Sequence, residues 1–176
     1  MKRTLQVLNE LERDGVFTRY AIGGAMGATF YTEPLLTFDL DVFVVRSIVC
    51  SGAVSAPTSN PPAVIDRRYS EALRARGYSE QENECIRIEG VPVQFLPAYN
   101  PLVEEALKEA QEIVYEDVPA RVLRSEHLVA ICLQTGRNKD RERVRILREQ
   151  AKLDQNFLAN VLRRHQLEDK WKLLTE

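Results

Sequence analysis

The sequence of 176 residues predicts an α+β protein with a mixed β-sheet, flanking helices and a C-terminal helical tail. Three observations favour this class. Short runs rich in β-branched and aromatic residues alternate with segments of helical periodicity. Two such runs flank Glu89-Gly90, a two-residue hairpin signal, and the chain from Asn138 onward has a helical pattern throughout. We therefore expect an α+β domain over residues 1–124 and a helical region over residues 125–176 that packs on it.

Glycines divide the first half of the chain into short elements. A helix with a leucine at every third position, from Leu5 to Leu11, is stopped by Gly15. The pattern then predicts a strand over 17–22, a break at Gly23-Gly24 and a helix over 25–31. The segment TFDLDVFVV, residues 37–45, is the strongest strand signal of the chain.

The second half begins with a helix over 63–76 and continues with a predicted hairpin. Its strands cover 84–88 and 91–96. Asn100 is placed to cap a helix that has Pro101 at its first position and extends to about residue 110. The stretch 113–122 includes another short strand. A helix then runs from Ser125 to about Gln134, Gly136 ends it, and helices continue to the terminus.

Composition excludes several classes of protein. The 24 basic and 26 acidic side chains give a net charge of −2, which excludes a histone-like binder and a disordered acidic tail. No apolar run approaches the roughly 20 residues of a membrane helix, so we expect no membrane partner. Cys50, Cys85 and Cys132 lack the spacing of a zinc site or a disulfide framework, which favours core residues in a reducing cytoplasm.

Charge is segregated along the chain. Residues 78–118 contain 10 acidic and 2 basic side chains, whereas Arg121–Arg148 contains 8 basic and 3 acidic ones. The basic segment is either a solvated face or a docking surface for phosphates or nucleic acid. The low-complexity segment 47–62 predicts a surface loop, which is either a tolerated insertion or a loop that gates a substrate.

Two aspartates within the strand signal point to metal chemistry. Asp39 and Asp41 are two residues apart, so in a strand both side chains project from the same face, about 6–7 Å apart. Two carboxylates this close repel each other, and a divalent cation between them removes that cost. Carboxylate oxygens suit Mg²⁺. The alternative is that both aspartates face solvent at a strand end.

A second element precedes the aspartates. Gly23-Gly24 follows a strand and opens a helix, with 14 residues between it and Asp39. Glycine allows the backbone to approach a ligand closely, and the free N–H groups at a helix start attract phosphate oxygens. A Gly-Gly pair alone is more often a plain turn. Together with the Asp-x-Asp strand, it indicates phosphoryl or nucleotidyl transfer.

This combination resembles the signature of the nucleotidyltransferase superfamily with the DNA-polymerase-β-like palm fold. The branch to which the chain is most similar is the AbiEii-type small bacterial nucleotidyltransferases, several of which are toxins of toxin–antitoxin pairs. The matching segments are Gly23-Gly24, Thr37 with Asp39-Leu40-Asp41-Val42, Glu126-His127-Leu128, Gly136 to Asp140, and the helical tail from Asp154 to Trp171.

The resemblance implies a site and its ligands. Asp39 and Asp41 would be catalytic and would hold one or two Mg²⁺ (or Mn²⁺) ions. The phosphates of a nucleoside triphosphate (NTP) would bind Gly23, Gly24, Thr37, Arg137 and Lys139. A hydroxyl of an RNA, a protein or a small molecule would attack the α-phosphorus and release pyrophosphate. A cognate antitoxin protein would be a further partner.

The sequence departs from the family pattern at two positions. Members usually have a third carboxylate on a neighbouring strand, and Gln94 stands there in this chain, so turnover is in doubt. Glu84 or Glu89 could substitute for it. Relatives also often have an arginine where Leu35 stands. Two alternatives therefore remain: an NTP-binding regulatory module that has lost turnover, and a nucleic-acid-binding protein that uses Arg121–Arg148.

Overall fold

The computed structural model describes residues 1–46 and 66–175. In these residues eight helices flank a seven-stranded mixed sheet, which confirms the predicted α+β class. The strands are β1 (Phe17–Ile22), β2 (Leu40–Arg46), β3 (Gln81–Glu82), β4 (Cys85–Ile88), β5 (Val91–Pro97), β6 (Gln111–Tyr115) and β7 (Val118–Val122). The helices are α1 (Lys2–Arg13), α2 (Gly24–Ala28), α3 (Arg67–Arg74), α4 (Pro101–Lys108), α5 (Ser125–Thr135), α6 (Asn138–Gln150), α7 (Gln155–Arg164) and α8 (Glu168–Thr175).

The sheet has the order β3-β4-β5-β2-β1-β7-β6. Its central strand β2 pairs antiparallel with β1 and parallel with β5. In the parallel register Asp41 stands beside Gln94, and on the other side of β5 Gln94 stands beside Cys85. Residues in register share a face of the sheet. The strand pairing therefore brings Asp41, Gln94 and Cys85 into one row.

The two faces of the sheet bury different clusters. Val42 and Val44 belong to the cluster that also contains residues of α1 and α3. Phe43 belongs to the other cluster, which contains residues of β1 and α4 together with residues of α5, α6 and α7. Side chains two apart in a strand share a face. Asp41 therefore projects from the same face as Phe43, toward the helices α4 to α7.

Several turns follow the prediction. Glu89 and Gly90 both have positive φ, 50° and 82°, as a tight hairpin turn of the primed type requires. Gly136 adopts the left-handed conformation directly after α5. None of the helices in the two described stretches has the length and apolar character needed to cross a membrane.

The strand prediction for residues 37–45 is wrong at its start, because β2 begins only at Leu40. Continuing the register with β5 would place Asp39 beside Pro92, which has no N–H to donate to a ladder. The Thr37 hydroxyl instead bonds to Asp39, at 3.3 Å from its carbonyl oxygen and 2.9 Å from Oδ1. Such local bonds compete with strand pairing.

Other element predictions also need correction. The stretch 113–122 contributes parts of two strands, β6 and β7, because Glu116 and Asp117 both take positive φ and form a hairpin turn. Helix α2 ends at Ala28 rather than at residue 31, where the chain passes into tighter turns such as the bond from Phe30 N to Gly27 O. The predicted loop over 47–62 and Cys50 lie outside the described residues.

Candidate functional site

A cleft of about 1300 Å³ lies between the β2–β5 part of the sheet and the start of α6. One side is formed by the segment before β2 and by the β3–β4 turn. The other side is formed by α5, α6 and the turn between them. Its lining includes Gly24, Thr37, Asp39, Asp41, Gln94, Tyr99, Arg137, Lys139, Asp140 and Arg143.

Both aspartates predicted from the sequence line this cleft. Asp41 is held by β2, and Asp39 is held by the preceding segment, where the Thr37 hydroxyl donates to its carboxylate at 2.9 Å. The two side chains thus share a cleft although only one of them belongs to a strand. Thr37 therefore forms a hydrogen bond to the Asp39 carboxylate. The same residue lines the cleft, where the sequence predicts that it contacts a phosphate.

The two glycines have different surroundings. Gly24 has φ +58°, and a Cβ built on it would lie 1.6 Å from Asp41 Oδ2. Only glycine allows the backbone and this carboxylate to approach so closely. Gly23 is buried, and its Cβ would collide with the Phe43 ring at 2.3 Å. Gly23 does not line the cleft; its N–H donates to the Asp41 carbonyl at 2.9 Å and ties α2 to β2.

The surroundings of Asp41 disfavour the charged form of its carboxylate. Burial, followed by the charge of Asp39, raises the pKa of its carboxyl to about 6. Arg143, Lys139 and Arg137 act in the opposite direction and do not cancel the rise. No hydrogen bond from the described residues reaches this carboxylate. A partly buried carboxylate with no partner among the described residues is a group whose charge a cation would stabilise.

The opposite wall of the cleft carries the basic residues Arg137, Lys139 and Arg143, and Asp140 binds two of them. This buried carboxylate accepts hydrogen bonds from Arg137 Nε at 2.6 Å, from the Thr135 hydroxyl at 2.7 Å and from Arg143 Nη1 at 3.4 Å. Burial disfavours the charge of Asp140, but the bonds from Arg137 and Thr135 outweigh burial and lower its pKa. Arg137 remains about half exposed. Its guanidinium is therefore held in one orientation at the cleft, with donors left for a ligand.

Position 94 is linked to a carboxylate. Gln94 Nε2 donates to Glu84 Oε2 at 2.6 Å, and Glu84 lines the same cleft from the β3–β4 turn. A carboxylate at position 94 would meet the negative charge of Glu84 at this distance, whereas an amide donates to it. Glu89, the other acid considered for this role, accepts a bond from the Tyr78 hydroxyl at 2.6 Å and does not line the cleft.

The predicted site residues converge, with one exception. Seven of them, Gly24, Thr37, Asp39, Asp41, Gln94, Arg137 and Lys139, line the cleft, and Gly23 does not. Sequence reasoning missed Arg143, Asp140 and Tyr99 as cleft residues. Asp140 and Arg143 follow Arg137 by three and six residues, so helical spacing was the signal available for them. Tyr99 carried no local signal.

The basic segment Arg121–Arg148 is largely neutralised by neighbouring acids. Arg121 pairs with Glu12, and Arg124 pairs with Glu126 and stacks on Phe157. Arg145 pairs with both Glu142 and Glu149. With Arg137 and Arg143 bound to Asp140, five of the eight basic side chains have acidic partners. This leaves a mixed surface rather than a continuous basic one.

The two histidines lie elsewhere, around Glu105. His127 Nε2 is 3.1 Å from Glu105 Oε1, and His165 Nε2 is 2.9 Å from Glu105 Oε2. Burial raises the pKa of Glu105, but hydrogen bonds from Arg164 and the histidines lower it to about 2. His127 is fully buried, and burial lowers its pKa. This cluster joins α4, α5 and α7 and lies outside the cleft.

The side of the cleft that carries Asp39 and Asp41, called the acidic wall below, has side chains suited to binding magnesium. Within residues 1–46 and 66–175, no group of three or more His, Cys, Asp or Glu side chains is arranged to hold a metal ion. Mg²⁺, however, is commonly held by one or two carboxylates together with waters and substrate phosphates. The carboxylates of Asp39 and Asp41 and the amide oxygen of Gln94 offer such a donor set.

Comparison of the chain with models of known protein families and with curated proteins gives no match.

Replacing Asp41 by asparagine should stabilise the protein at pH 8. The pKa of this carboxyl rises from 3.8 to about 6 on folding, so its charge destabilises the fold above pH 6 and has no effect below about pH 4. We expect Asp41→Asn to raise the free energy of unfolding by about 1–3 kcal/mol at pH 8 and by nearly nothing at pH 4. Urea unfolding at the two pH values measures this.

Asp140→Asn is the matched control, because the pKa of Asp140 is lowered on folding. Its charge stabilises the fold at neutral pH, and this contribution is lost as the pH falls through the folded pKa. We expect Asp140→Asn to destabilise the protein at pH 8. Destabilisation by Asp41→Asn at pH 8 would contradict the conclusion that the charge of Asp41 destabilises the fold.

Replacing Gly24 by alanine should be more harmful than replacing Gly15. Both glycines have positive φ, but a Cβ at Gly15 meets no atom within 4 Å, whereas one at Gly24 would collide with Asp41. We expect Gly15→Ala to cost about 1 kcal/mol for backbone strain and Gly24→Ala to cost at least twice as much. In a double-mutant cycle, Asp41→Ala should relieve part of the Gly24→Ala cost only. Equal costs, without coupling to Asp41, would disprove the close contact.

Proposed function

We propose that the chain is a nucleotidyltransferase, which binds a divalent cation and an NTP in the cleft and transfers the nucleotidyl group to a hydroxyl acceptor. One observation carries the proposal: a single cleft has an acidic wall with Asp39 and Asp41, and a basic wall with Arg137 and Lys139. A Mg–NTP complex has the complementary division of charge, with its cation on one side and phosphate oxygens on the other.

The residues of the two walls would have separate tasks. Asp39 and Asp41 would hold the cation, which, when bound, neutralises phosphate charge and polarises the reacting phosphoryl group. The Arg137 guanidinium, aligned by Asp140, would bind phosphate oxygens, and Lys139 would add a second positive charge. Thr37 would keep the Asp39 carboxylate turned toward the cation through its 2.9 Å hydrogen bond. Catalysis would rest on positioning and charge neutralisation.

The reaction forms a bond between the acceptor oxygen and the α-phosphorus, and it breaks the bond from that phosphorus to pyrophosphate. The acceptor also loses a proton. Gln94 cannot take this proton, because an amide is not basic. Glu84, the carboxylate to which the Gln94 amide donates, lines the same cleft and offers a basic group for it.

A second candidate function is an NTP-binding regulatory module without turnover. The observation that favours it is the neutral side chain of Gln94 at the position beside Asp41 in the sheet. The volume of the cleft, about 1300 Å³, leaves room for an acceptor beside the nucleotide and favours the enzyme. The third candidate, nucleic-acid binding through Arg121–Arg148, is weakened by the acids that pair with this segment.

The proposed reaction also needs an acceptor, and we expect the chain to have a protein partner. An RNA, a protein side chain or a small hydroxylated molecule would serve as acceptor, in a reducing cytoplasm. The resemblance to AbiEii-type proteins adds a cognate antitoxin as a further partner. These candidates are separated by which fraction of a lysate receives the nucleotide.

The test is transfer of label from each α-labelled NTP to lysate components in the presence of Mg²⁺ or Mn²⁺. We expect label to appear with the wild-type protein and to fall by more than about 100-fold in Asp39→Ala/Asp41→Ala, because the cation site is lost. Calorimetry of NTP binding with and without Mg²⁺ should show binding that depends on both aspartates.

Glu104→Ala/Glu109→Ala is the control, since it removes two exposed acids of α4 and its boundary that lie outside the cleft. It should leave binding and transfer unchanged. Binding without transfer would favour the regulatory module. RNA binding that weakens steeply with salt and ignores Mg–NTP would favour the third candidate. A wild-type protein that binds no NTP with either metal would refute the proposal.

A further inference from the structure

Tyr99 lines the cleft between the acidic and the basic wall, and no other part of the site accounts for its hydroxyl. The side chain is partly buried and packs against the cluster that contains Phe43 and the helices α4 to α7. Arg137, Asp140 and Asp41 are close enough to influence its ionisation. The phenol therefore lines the cleft near residues of both walls, where a ligand that spans the walls can reach it.

The Tyr99 hydroxyl has no hydrogen-bond partner among the described residues. A tyrosine hydroxyl bonds to a protein group, or else to water or a ligand that reaches it. Tyr31 illustrates the usual case: its hydroxyl lies 3.0 Å from the Leu123 carbonyl oxygen and 3.0 Å from Gln111 Oε1. The Tyr99 hydroxyl is not one of the buried polar atoms that lack a partner in the described residues, so it is open to the cleft and available to a ligand there.

The surrounding chain holds Tyr99 in place. Immediately before it, Ala98 N–H donates to the Val44 carbonyl at 2.9 Å and extends the β2–β5 ladder. Immediately after it, the Asn100 side chain caps α4 through the Val103 N–H at 3.0 Å and donates to Gln134 Oε1 at 2.6 Å. A backbone held on both sides of Tyr99 reduces the entropy that the residue loses when its hydroxyl binds a ligand.

The chemistry of the hydroxyl selects an anionic ligand. Burial raises the pKa of the Tyr99 phenol, and the charge of Arg137 lowers it only in part. The phenol therefore remains protonated throughout the neutral range and serves as a donor. A neutral donor beside Arg137 adds a directed hydrogen bond to a phosphate oxygen without adding charge.

We propose that the Tyr99 hydroxyl donates a hydrogen bond to a phosphate oxygen of the bound NTP and so forms part of the triphosphate site. The proposal rests on the proposed function and deepens it, because it assigns a ligand group to a residue outside the sequence motif. It concerns binding and positioning of the phosphates and includes no chemical step by the phenol.

The test compares Tyr99→Phe with Tyr31→Phe, two substitutions that each remove one hydroxyl. Calorimetry measures the dissociation constants of Mg–tripolyphosphate and of the four Mg–NTP complexes, and urea unfolding measures stability. We expect Tyr99→Phe to weaken both Mg–tripolyphosphate and Mg–NTP by about tenfold while leaving stability unchanged or raised. Tyr31→Phe should lower stability and leave both dissociation constants unchanged, because its hydroxyl has partners in the fold.

The outcomes separate the two proposals. If the wild-type protein binds no Mg–NTP, the proposed function fails. If it binds Mg–NTP and Tyr99→Phe binds equally well, only the role of Tyr99 is overturned. A loss that appears with Mg–NTP and is absent with Mg–tripolyphosphate also overturns that role, because the hydroxyl would then contact the ribose or the base. A Tyr99→Phe protein destabilised as much as Tyr31→Phe would contradict the absence of a partner for this hydroxyl among the described residues.

Discussion

The contact between Gly24 and the Asp41 carboxylate is the constraint on which the site depends. A carboxylate pressed against backbone, partly desolvated and close to Asp39 is held at a cost to the fold. A bound cation would offset this cost, and a group that destabilises the fold is more often found at a functional site than in a purely structural role. The glycine pair serves this contact unequally: Gly24 makes room for the carboxylate, whereas Gly23 secures α2 to the sheet beside Phe43.

Around this contact the fold brings charge of opposite sign to two sides of one cleft. Parallel pairing of β2 with β5 sets Gln94 beside Asp41, and the β3–β4 turn adds Glu84. Across the cleft, one buried carboxylate, Asp140, orients Arg137 and Arg143 at the start of α6. In the described residues Asp39 and Asp41 form no ion pair with the basic side chains across the cleft, although these side chains influence the pKa of Asp41. A ligand with both a cation and anionic oxygens can therefore enter between the acids and the bases.

Much of the site could be predicted because its signals are local. The two-residue spacing of Asp39 and Asp41 places them together whether or not a strand includes both. The start of β2 could not be predicted, since it depends on Pro92 in a partner strand that is far away in the sequence. Tyr99 also has no local signal, because its significance comes from its position on the cleft, which only the folded chain creates. The α+β class could be predicted because strand-like and helical patterns, together with the Glu89-Gly90 hairpin signal, are read from neighbouring residues.

The central claim is that Asp39 and Asp41 share a divalent cation opposite a phosphate site. A crystal structure with Mn²⁺ and a non-hydrolysable NTP analogue, recorded with anomalous scattering from manganese, tests it most directly. The account predicts an anomalous peak within coordination distance of oxygens of both aspartates, with the triphosphate extending past Tyr99 to Arg137. A saturated crystal with no peak between these carboxylates, or with the nucleotide bound outside the cleft, would contradict it.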